Sequence, residues 1–464
     1  MSETRIEKDS LGEVHVPADA YYGAQTQRAV ENYPISGIRP PRPFVAAMAT
    51  IKKATALANW DVGNLEPATA EAIVAASDRV LAGEFVDQFV VDVYNSGAGT
   101  SFHMNVNEVI ANVAIESLGR ERGDYTVLSP NDHVNYGQST NDVIPTATRL
   151  AALLMLPDLL VALDGLAASL EDRAKAFDQV LKSGRTHLQD AVPIRVGQEF
   201  GGYATAVAKA RGTVAHAAHA CEELGLGGSA TGTGLNTHPD YAATAIAHIA
   251  EITGLSVRPA ADRFEAMQSQ APVVELSGAL RLLAVELIRI ANDLRLLSSG
   301  PTTGLGEIRL PAVQPGSSIM PGKVNPSIPE MVNMVGFGVL GNDLTIATAA
   351  QAGQLELNVM MPVIAYKLID SLQILTGAVT VLDERCVRGI GVDAERCRAY
   401  VERTMGLATA LNPYIGYLAA AEAAKESLST GRPLRELVLE KGLVSAEDLD
   451  RILDPMAMTE PRER

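Results

Sequence analysis

Leu276, Leu280, Leu283, Leu287, Ile290, Leu294 and Leu297 recur in alternating steps of four and three residues, and nothing else in the chain limits its fold so strongly. That step pattern is the period of an α-helix carrying one narrow apolar seam. Arg281, Glu286, Arg289, Asp293 and Arg295 lie between the seam positions and supply the polar remainder. The same pattern returns at Leu156, Leu159, Leu163, Leu166 and Leu170, and again at Leu368, Leu372, Leu375, Val379 and Leu382. Long helices with narrow seams pack as bundles, so a helix bundle is expected. Core packing within one chain accounts for any single seam, but three together point to an oligomeric bundle packed across subunits. The Ala- and Gly-rich stretch Val335 to Ala352 is apolar on more than one side, which favours burial between helices or subunits.

At 464 residues the chain exceeds the usual single-domain size, so two or three domains are expected. Its 47% hydrophobic and 20% charged content marks it as globular rather than disordered. A change of composition near Asp393 opens a charged segment, Glu395 to Arg464, read as a small separate helical domain. Cys221, Cys386 and Cys397 have no metal-like spacing and their odd number gives no disulfide framework, so reduced, structural thiols are expected. Met1 to Asp19 lacks the apolar core of a signal peptide, and the expected location is cytoplasmic. The apolar stretch Leu150 to Leu170 is broken by Pro157, Asp158 and Asp164, short of the ~18 uninterrupted residues of a membrane span, so no membrane partner is expected. A net charge of −17 argues against nucleic acid as a partner and requires any dianionic substrate to find a locally positive pocket.

Between the helices lie polar, glycine-punctuated stretches that a packed bundle does not need. They are Ser96 to Thr100, Gly137 to Asp142, Gly184 to Asp190 and Pro315 to Pro326. Hydroxyls, carboxamides and backbone N–H groups near helix starts bind carboxylates, because helix N-termini carry partial positive charge. Taken singly, Ser139-Thr140-Asn141 reads as a helix cap, and Thr100 has the same plain reading. The Gly316–Pro326 segment asks for more, since paired glycines and prolines bracket Ser317, Ser318 and Lys323 and let several N–H groups gather around one hydroxyl. It is not a Walker loop, because five residues separate its glycines and Val324 follows Lys323. Gly225-Leu226-Gly227-Gly228 lacks the third glycine and the preceding strand of a dinucleotide fingerprint. His216 and His219 stand one helical turn apart without an acidic or thiol cluster, so they read as a solvated face and no metal site is expected.

The segment Gly316-Ser317-Ser318-Ile319-Met320-Pro321-Gly322-Lys323-Val324-Asn325-Pro326 resembles the signature loop of the aspartase/fumarase superfamily, and the other three segments match that family in order and spacing. The resemblance runs from Asp9-Ser10-Leu11-Gly12 to Leu411-Asn412-Pro413. It implies an all-α, three-domain subunit, with an N-terminal helical domain over 1–138, a central long-helix bundle over 139–393 and a small C-terminal helical domain over 394–464. It further implies a homotetramer with a twenty-helix core, shared active sites built by three subunits, and a small dicarboxylate substrate. Carried over by motif, Ser317 is the base that removes a proton beside the carboxylate retained in the carbanion. Lys323, Asn325, Thr100, Ser139, Thr140, Asn141 and Thr186 bind carboxylate, and Ser318 contributes to the loop. His187 lies beside the leaving group with Glu330 as its charge partner. No cofactor is implied, and activation by a divalent cation stays open.

The chemistry wants these residue types. Removing a proton beside a carboxylate adds charge to an anion, so fixed donors and a cation lower the barrier. Serine is a poor base unless nearby positive charge and N–H groups activate it. Within the family, Gly97 to Ser101, Ser139 to Asp142 and Ala352 to Met360 look more like aspartate ammonia-lyases, whereas Gly234 to Pro239 reads more like class II fumarase. Phe102-His103 stands where both subfamilies usually place Thr-Asn, and Met361 replaces a charged residue, so these three are specificity candidates. Phe102 and His103 adjoin Thr100, which makes a reshaped amine pocket and a substituted aspartate open possibilities. The expected reaction is elimination of ammonia from L-aspartate to give fumarate, with fumarate hydratase as the alternative. A serine–lysine hydrolase built on Ser317 and Lys323 and a non-catalytic helical scaffold are the readings from other classes.

Overall fold

The computed structural model describes residues 3–461. The chain is all-α in character, and the strands among the described residues pair only in two-stranded sheets. Five helices exceed twenty residues without interruption and are apolar along one side: Thr140–Ala176, Val196–Ala218, Ala271–Leu297, Ser327–Ala350 and Met361–Arg385. By contact the chain divides into two units, and each of the five long helices contributes residues to both. One unit comprises 1–160, 212–284 and 336–376, and the other comprises 161–211, 285–335 and 377–464.

The three leucine seams, apart from half-buried Leu156, are buried within the single chain. Leu276, Leu280, Leu283, Leu287, Ile290, Leu294 and Leu297 are all core residues, as are Leu159, Leu163, Leu166 and Leu170, and the whole series from Leu368 to Leu382. The expectation that these seams pack across subunits is therefore corrected: intrachain helices already cover them. What remains uncovered is a second face. On helix Ser327–Ala350, Met334, Phe337 and Leu344 are exposed, the last two at 60% and 69%. Two helices, Thr140–Ala176 and the one beginning at Met361, are long and apolar enough to cross a bilayer by length and composition alone. Their seam residues from Leu159 to Leu170 and from Leu368 to Leu382 are core residues of this chain.

Within the first unit, Ser277 Oγ donates to Asp343 at 2.7 Å and Asn342 Nδ2 donates to Asp370 at 2.8 Å. In the second, Tyr203 Oη donates to Asp293 at 3.0 Å and Arg211 pairs with Asp164. Such pairs set the register of helices whose apolar seams alone would slide. Residues of the C-terminal segment hold their own small core, with Leu411, Ala423, Leu434, Val438, Leu449 and Ile452 buried together. Cys221, Cys386 and Cys397 are free and buried, and burial pushes each thiol up to about 12, where it is inert.

Phe102 is a core residue of this fold that also lines one side of a small cavity. It is 2% exposed and its ring stacks on Phe44 at 5.1 Å, beside a cavity of about 20 Å³ bordered by Pro41, Ile144 and Tyr366. Met361, 1% exposed, lies in the same core cluster with Ala365 and Ile369. Phe102→Ala is expected to destabilise the protein by about 3–5 kcal/mol, the usual cost of a large-to-small aromatic deletion, as read by urea unfolding. A change below about 1 kcal/mol would mean that the ring is not packed as described.

Candidate active site

Two helix N-termini in the first unit carry sequence-predicted residues. Thr100 opens helix Thr100–Ser117 and is exposed, after Ala98 and Gly99 turn the chain with φ of 64° and 89°. Ser139 precedes helix Thr140–Ala176 and caps it, its Oγ accepting from Asn141 N at 3.2 Å. Ser139 N donates in turn to Asp142 Oδ1 at 3.0 Å, the reciprocal bond of a capping box. The other oxygen of Asp142 accepts from Gly227 N at 2.9 Å and Ser229 N at 3.0 Å. Burial pushes Asp142 up to about 6, against the pull of these three N–H groups and of Lys52. Asn141 Nδ2 donates to Ala230 O at 2.8 Å, which leaves its carboxamide oxygen and its second amide proton for another partner. The glycines at 227 and 228 serve close packing, since a Cβ at either would collide with Ala242 or Met267.

The two helix starts are joined from behind by His103. Its Nδ1 lies 2.8 Å from Thr140 Oγ1, and its Nε2 lies 2.6 Å from Lys52 Nζ. Lys52 is buried and also donates to Asn135 Oδ1 at 3.1 Å and Gln138 Oε1 at 2.6 Å. Burial lowers the Lys52 pKa while Asp142 pulls it back up, and burial together with Lys52 keeps His103 well below its ordinary value. His103 is thus an interior residue that touches Thr140, and it is not itself a pocket wall. Lys52 is absent from the sequence-predicted site. Its signal is positional, because it falls one turn from Met48 and Ala56 on the apolar side of helix Arg42–Asp61, where a lysine needs partners.

Thr186, His187, Ser317, Ser318, Lys323, Asn325 and Glu330 belong to the second unit. Strands Leu181–Thr186 and Gln189–Arg195 form an antiparallel hairpin whose two-residue turn is His187-Leu188. Both turn residues have positive φ, 55° and 58°, a conformation that usually selects Asn or Gly. Two side chains forced into it mark a turn with a purpose beyond the turn itself. The hairpin is anchored at its base by Glu307, 1% exposed, which pairs with Lys182 at 3.1 Å and with Arg185 at 2.9 Å. Thr404 Oγ1 donates to Ala191 O at 3.2 Å and braces the other strand. Thr186 and His187 are therefore held at an exposed tip on a fixed base.

The Ser317 loop is closed on itself. Gly316 N donates to Lys323 O at 2.8 Å, and Asn325 Nδ2 donates to Gly316 O at 2.8 Å. Inside this ring Ser317 Oγ accepts from Ile319 N at 3.2 Å and Met320 N at 3.0 Å. Two N–H groups on one hydroxyl oxygen favour its anionic form, which is what a serine base requires. Lys323 and Ser318 are exposed on the same loop, and Asn325 gives one of its two amide protons to closing it. Glu330 sits in the first turn of helix Ser327–Ala350, where a carboxylate is favoured by the helix dipole. Among the described residues no hydrogen bond or ion pair within the chain joins Glu330 to His187.

Hydroxyl-bearing helix starts and a hydroxyl cradled by N–H groups are the equipment of an enzyme that moves protons beside carboxylates, and the long seamed helices place it among all-α lyases. Comparison with known proteins gives the family. A lyase family model matches residues 12–341 and a fumarase C C-terminus model matches residues 407–460. An aspartate ammonia-lyase from a Bacillus species is 47% identical over 460 residues, covering 99% of this chain and 98% of its own. A class II fumarate hydratase from Halobacterium salinarum is 54% identical over 461 residues, with the same coverage of 99% and 98%. The crystal structure of a fumarate lyase:delta crystallin from Brucella melitensis bound to cobalt superposes with a TM-score of 0.95 at 50% identity, covering 99% of this chain and all of the other. The chain belongs to the aspartase/fumarase superfamily and is a lyase.

The loop geometry yields its own prediction. A Cβ at Gly316 would lie 2.5 Å from Lys323 O and 2.8 Å from Asn325 N, so Gly316→Ala cannot keep the ring closed. Hydrogen exchange followed by mass spectrometry should show amides of 316–325 exchanging at least about tenfold faster, a loss of roughly 1.4 kcal/mol of local protection. Unchanged exchange in that peptide would show that the ring does not depend on the missing side chain.

Proposed function

We propose that the chain eliminates ammonia from L-aspartate to give fumarate. One observation carries the choice within the family. Two of the segments that look like aspartate ammonia-lyases, Gly97 to Ser101 and Ala352 to Met360, meet in space: Ala98 N donates to Val359 O at 2.9 Å, and a Cβ on Gly97 would be 3.2 Å from that of Val359. Buried Asn358 fixes the second segment by donating to Ala349 O and Ala350 O at 3.1 and 3.0 Å. They act as one structural unit next to the start of the Thr100 helix, so their shared likeness is a single preserved wall and not two scattered matches. The free carboxamide oxygen of Asn141 also suits an ammonium, which can only donate.

In this reading Ser317 Oγ takes the proton from the carbon beside one carboxylate. The electron pair left behind is held on that carboxylate by Lys323 and the N–H groups of the loop, then forms the carbon–carbon double bond as ammonia leaves the neighbouring carbon. Thr100, Ser139, Thr140 and Thr186 bind the carboxylates, with Ser318 in the same loop, and Asn141 and Asn325 join them through the amide proton that Ala230 O and Gly316 O do not take. His187, presented by the strained turn, stands at the leaving group, with Glu330 as its charge partner. The second reading is class II fumarase, favoured by Gly234 to Pro239 and by the 54% identity to the Halobacterium salinarum enzyme.

Following the absorbance of the fumarate double bond with aspartate, with malate, and with fumarate plus ammonia separates the two. Aspartate turnover is expected, and ready hydration of fumarate without amination would make the enzyme a fumarase. Ser317→Ala should lower kcat at least about a thousandfold with KM within about threefold, the pattern of a lost transition-state interaction. An active alanine variant would remove Ser317 from the role of base.

A homotetramer is part of the same proposal. Five long helices per chain, taken four times, make the twenty of the family core, and Met334, Phe337 and Leu344 leave an apolar face that water does not favour. Light scattering should return four times the 49.0 kDa chain mass. A fully active monomer would rule out sites shared between subunits.

A further inference from the structure

With Lys52 as an ammonium, one set of directions satisfies every hydrogen bond behind Thr140, and in that set Asn135 Oδ1, which also bonds the His103 ring, accepts from the lysine. Three atoms surround Lys52 Nζ: His103 Nε2 at 2.6 Å, Gln138 Oε1 at 2.6 Å and Asn135 Oδ1 at 3.1 Å. The two amides cannot be turned around. Asn135 Nδ2 donates to Gln138 O at 3.2 Å, and Gln138 Nε2 donates to Val134 O at 3.0 Å and Tyr136 O at 3.3 Å, so their oxygens must face the lysine. An ammonium has three protons and no lone pair, which matches three acceptors if His103 Nε2 is bare. A neutral imidazole with a bare Nε2 carries its proton on Nδ1. That proton points at Thr140 Oγ1, 2.8 Å away, and His103 is the one partner of that oxygen among the described residues. The threonine then accepts from behind and has its own proton left to give.

We infer that Lys52 and His103 are a positioning pair that locks the Thr140 hydroxyl as a hydrogen-bond donor toward a substrate carboxylate. The inference rests on the reading that Thr140 binds a carboxylate, and it gives His103 a task in this chain. A carboxylate accepts and cannot donate, so a hydroxyl free to rotate would present a lone pair to it part of the time. With the imidazole proton already on its oxygen, Thr140 loses that freedom. A neutral Lys52 would reverse the chain. Its lone pair would need the Nε2 proton, Nδ1 would then take the threonine proton, and Thr140 would face the substrate with lone pairs only.

Isothermal titration of succinate, an unreactive four-carbon dicarboxylate, into the full-length protein tests the pair. Asparagine at 103 puts an amide nitrogen near the place of Nδ1 but falls short of Lys52, whereas glutamine reaches Lys52 and leaves Thr140 alone. Thr140→Val and His103→Gln should each weaken succinate about tenfold, the worth of one hydrogen bond to a charged group. His103→Asn should stay within about threefold of wild type, and His103→Gln added to Thr140→Val should cost less than about twofold more. Full additivity in that double variant would overturn the inference, since His103 would then act on packing alone. No effect of Thr140→Val would sink the carboxylate reading on which the inference stands. The wild-type protein supplies a measurement free of any folding defect: with 15N-labelled histidine, the signal lost in His103→Asn should report a protonated Nδ1 and a bare Nε2. A proton on Nε2 would overturn the polarity.

Discussion

A carboxylate with no exposed surface has to be met by donors or by a cation, and Asp142 is met by three backbone N–H groups from two separated stretches of chain, Ser139 on one side and Gly227 and Ser229 on the other. This carboxylate sets the first turn of a 37-residue helix against the 227–229 loop. Because Ser139 N is committed to Asp142, the Ser139 side chain is free to cap Asn141 N, and Thr140 and Asn141 are fixed in direction between those two bonds. Ala230, one residue past Ser229, then takes the Asn141 amide. The polar residues at this helix start are oriented by a buried charge that never meets solvent.

The second unit uses the same device at its hairpin. Glu307 is buried between Lys182 and Arg185, and Glu199 lies 2.9 Å from Lys182 on its other side. Buried pairs of this kind add little net stability, because desolvating each ion offsets most of the attraction. They do fix geometry. A hairpin whose turn holds two residues at positive φ carries roughly 1–3 kcal/mol of strain for each, and would relax if its strands were free to slip. With the base clamped, the strain stays at His187 and Leu188.

The long helices were legible from periodicity because a seam repeats over many residues and packing enforces it at each one. Partner choice was not, since an apolar stripe looks the same whether it faces its own chain or another, and the intrachain core claimed all three stripes. The loop Gly316 to Pro326 was legible because glycine and proline positions restrict backbone shape directly. Its inner bonds were not, as they depend on which N–H groups turn inward. Phe102 and His103 were drawn toward the site by adjacency to Thr100. On a helix, adjacency misleads: position 102 lies about 200° around from position 100 and faces the core, while position 103 returns to within about 60° of it. That rotation separates the stacked ring from the imidazole that reaches Thr140. Lys52 was hidden beside Lys53 in what reads as a solvated pair, although only Lys53 finds an exposed partner, in Asp78 at 2.7 Å.

A dianion approaching a chain of net charge −17 meets a problem of distance rather than of total charge. Surface carboxylates act through water and salt, which screen them beyond about 10 Å. Close to the Thr100 and Thr140 helix starts, the charges that matter are nearer and less screened. Each helix N-terminus contributes roughly half a positive charge. Behind the second lies Lys52, enclosed by neutral amide oxygens and an imidazole, with Asp142 as its electrostatic counterweight in the interior. Asp142 gives most of its lone pairs to backbone N–H groups, so it balances the lysine without capping it. In the proposed arrangement, with Lys52 as an ammonium, its field is passed forward through His103 to the Thr140 hydroxyl, so that an acidic protein would present a local donor to a carboxylate without placing a cation in contact with it.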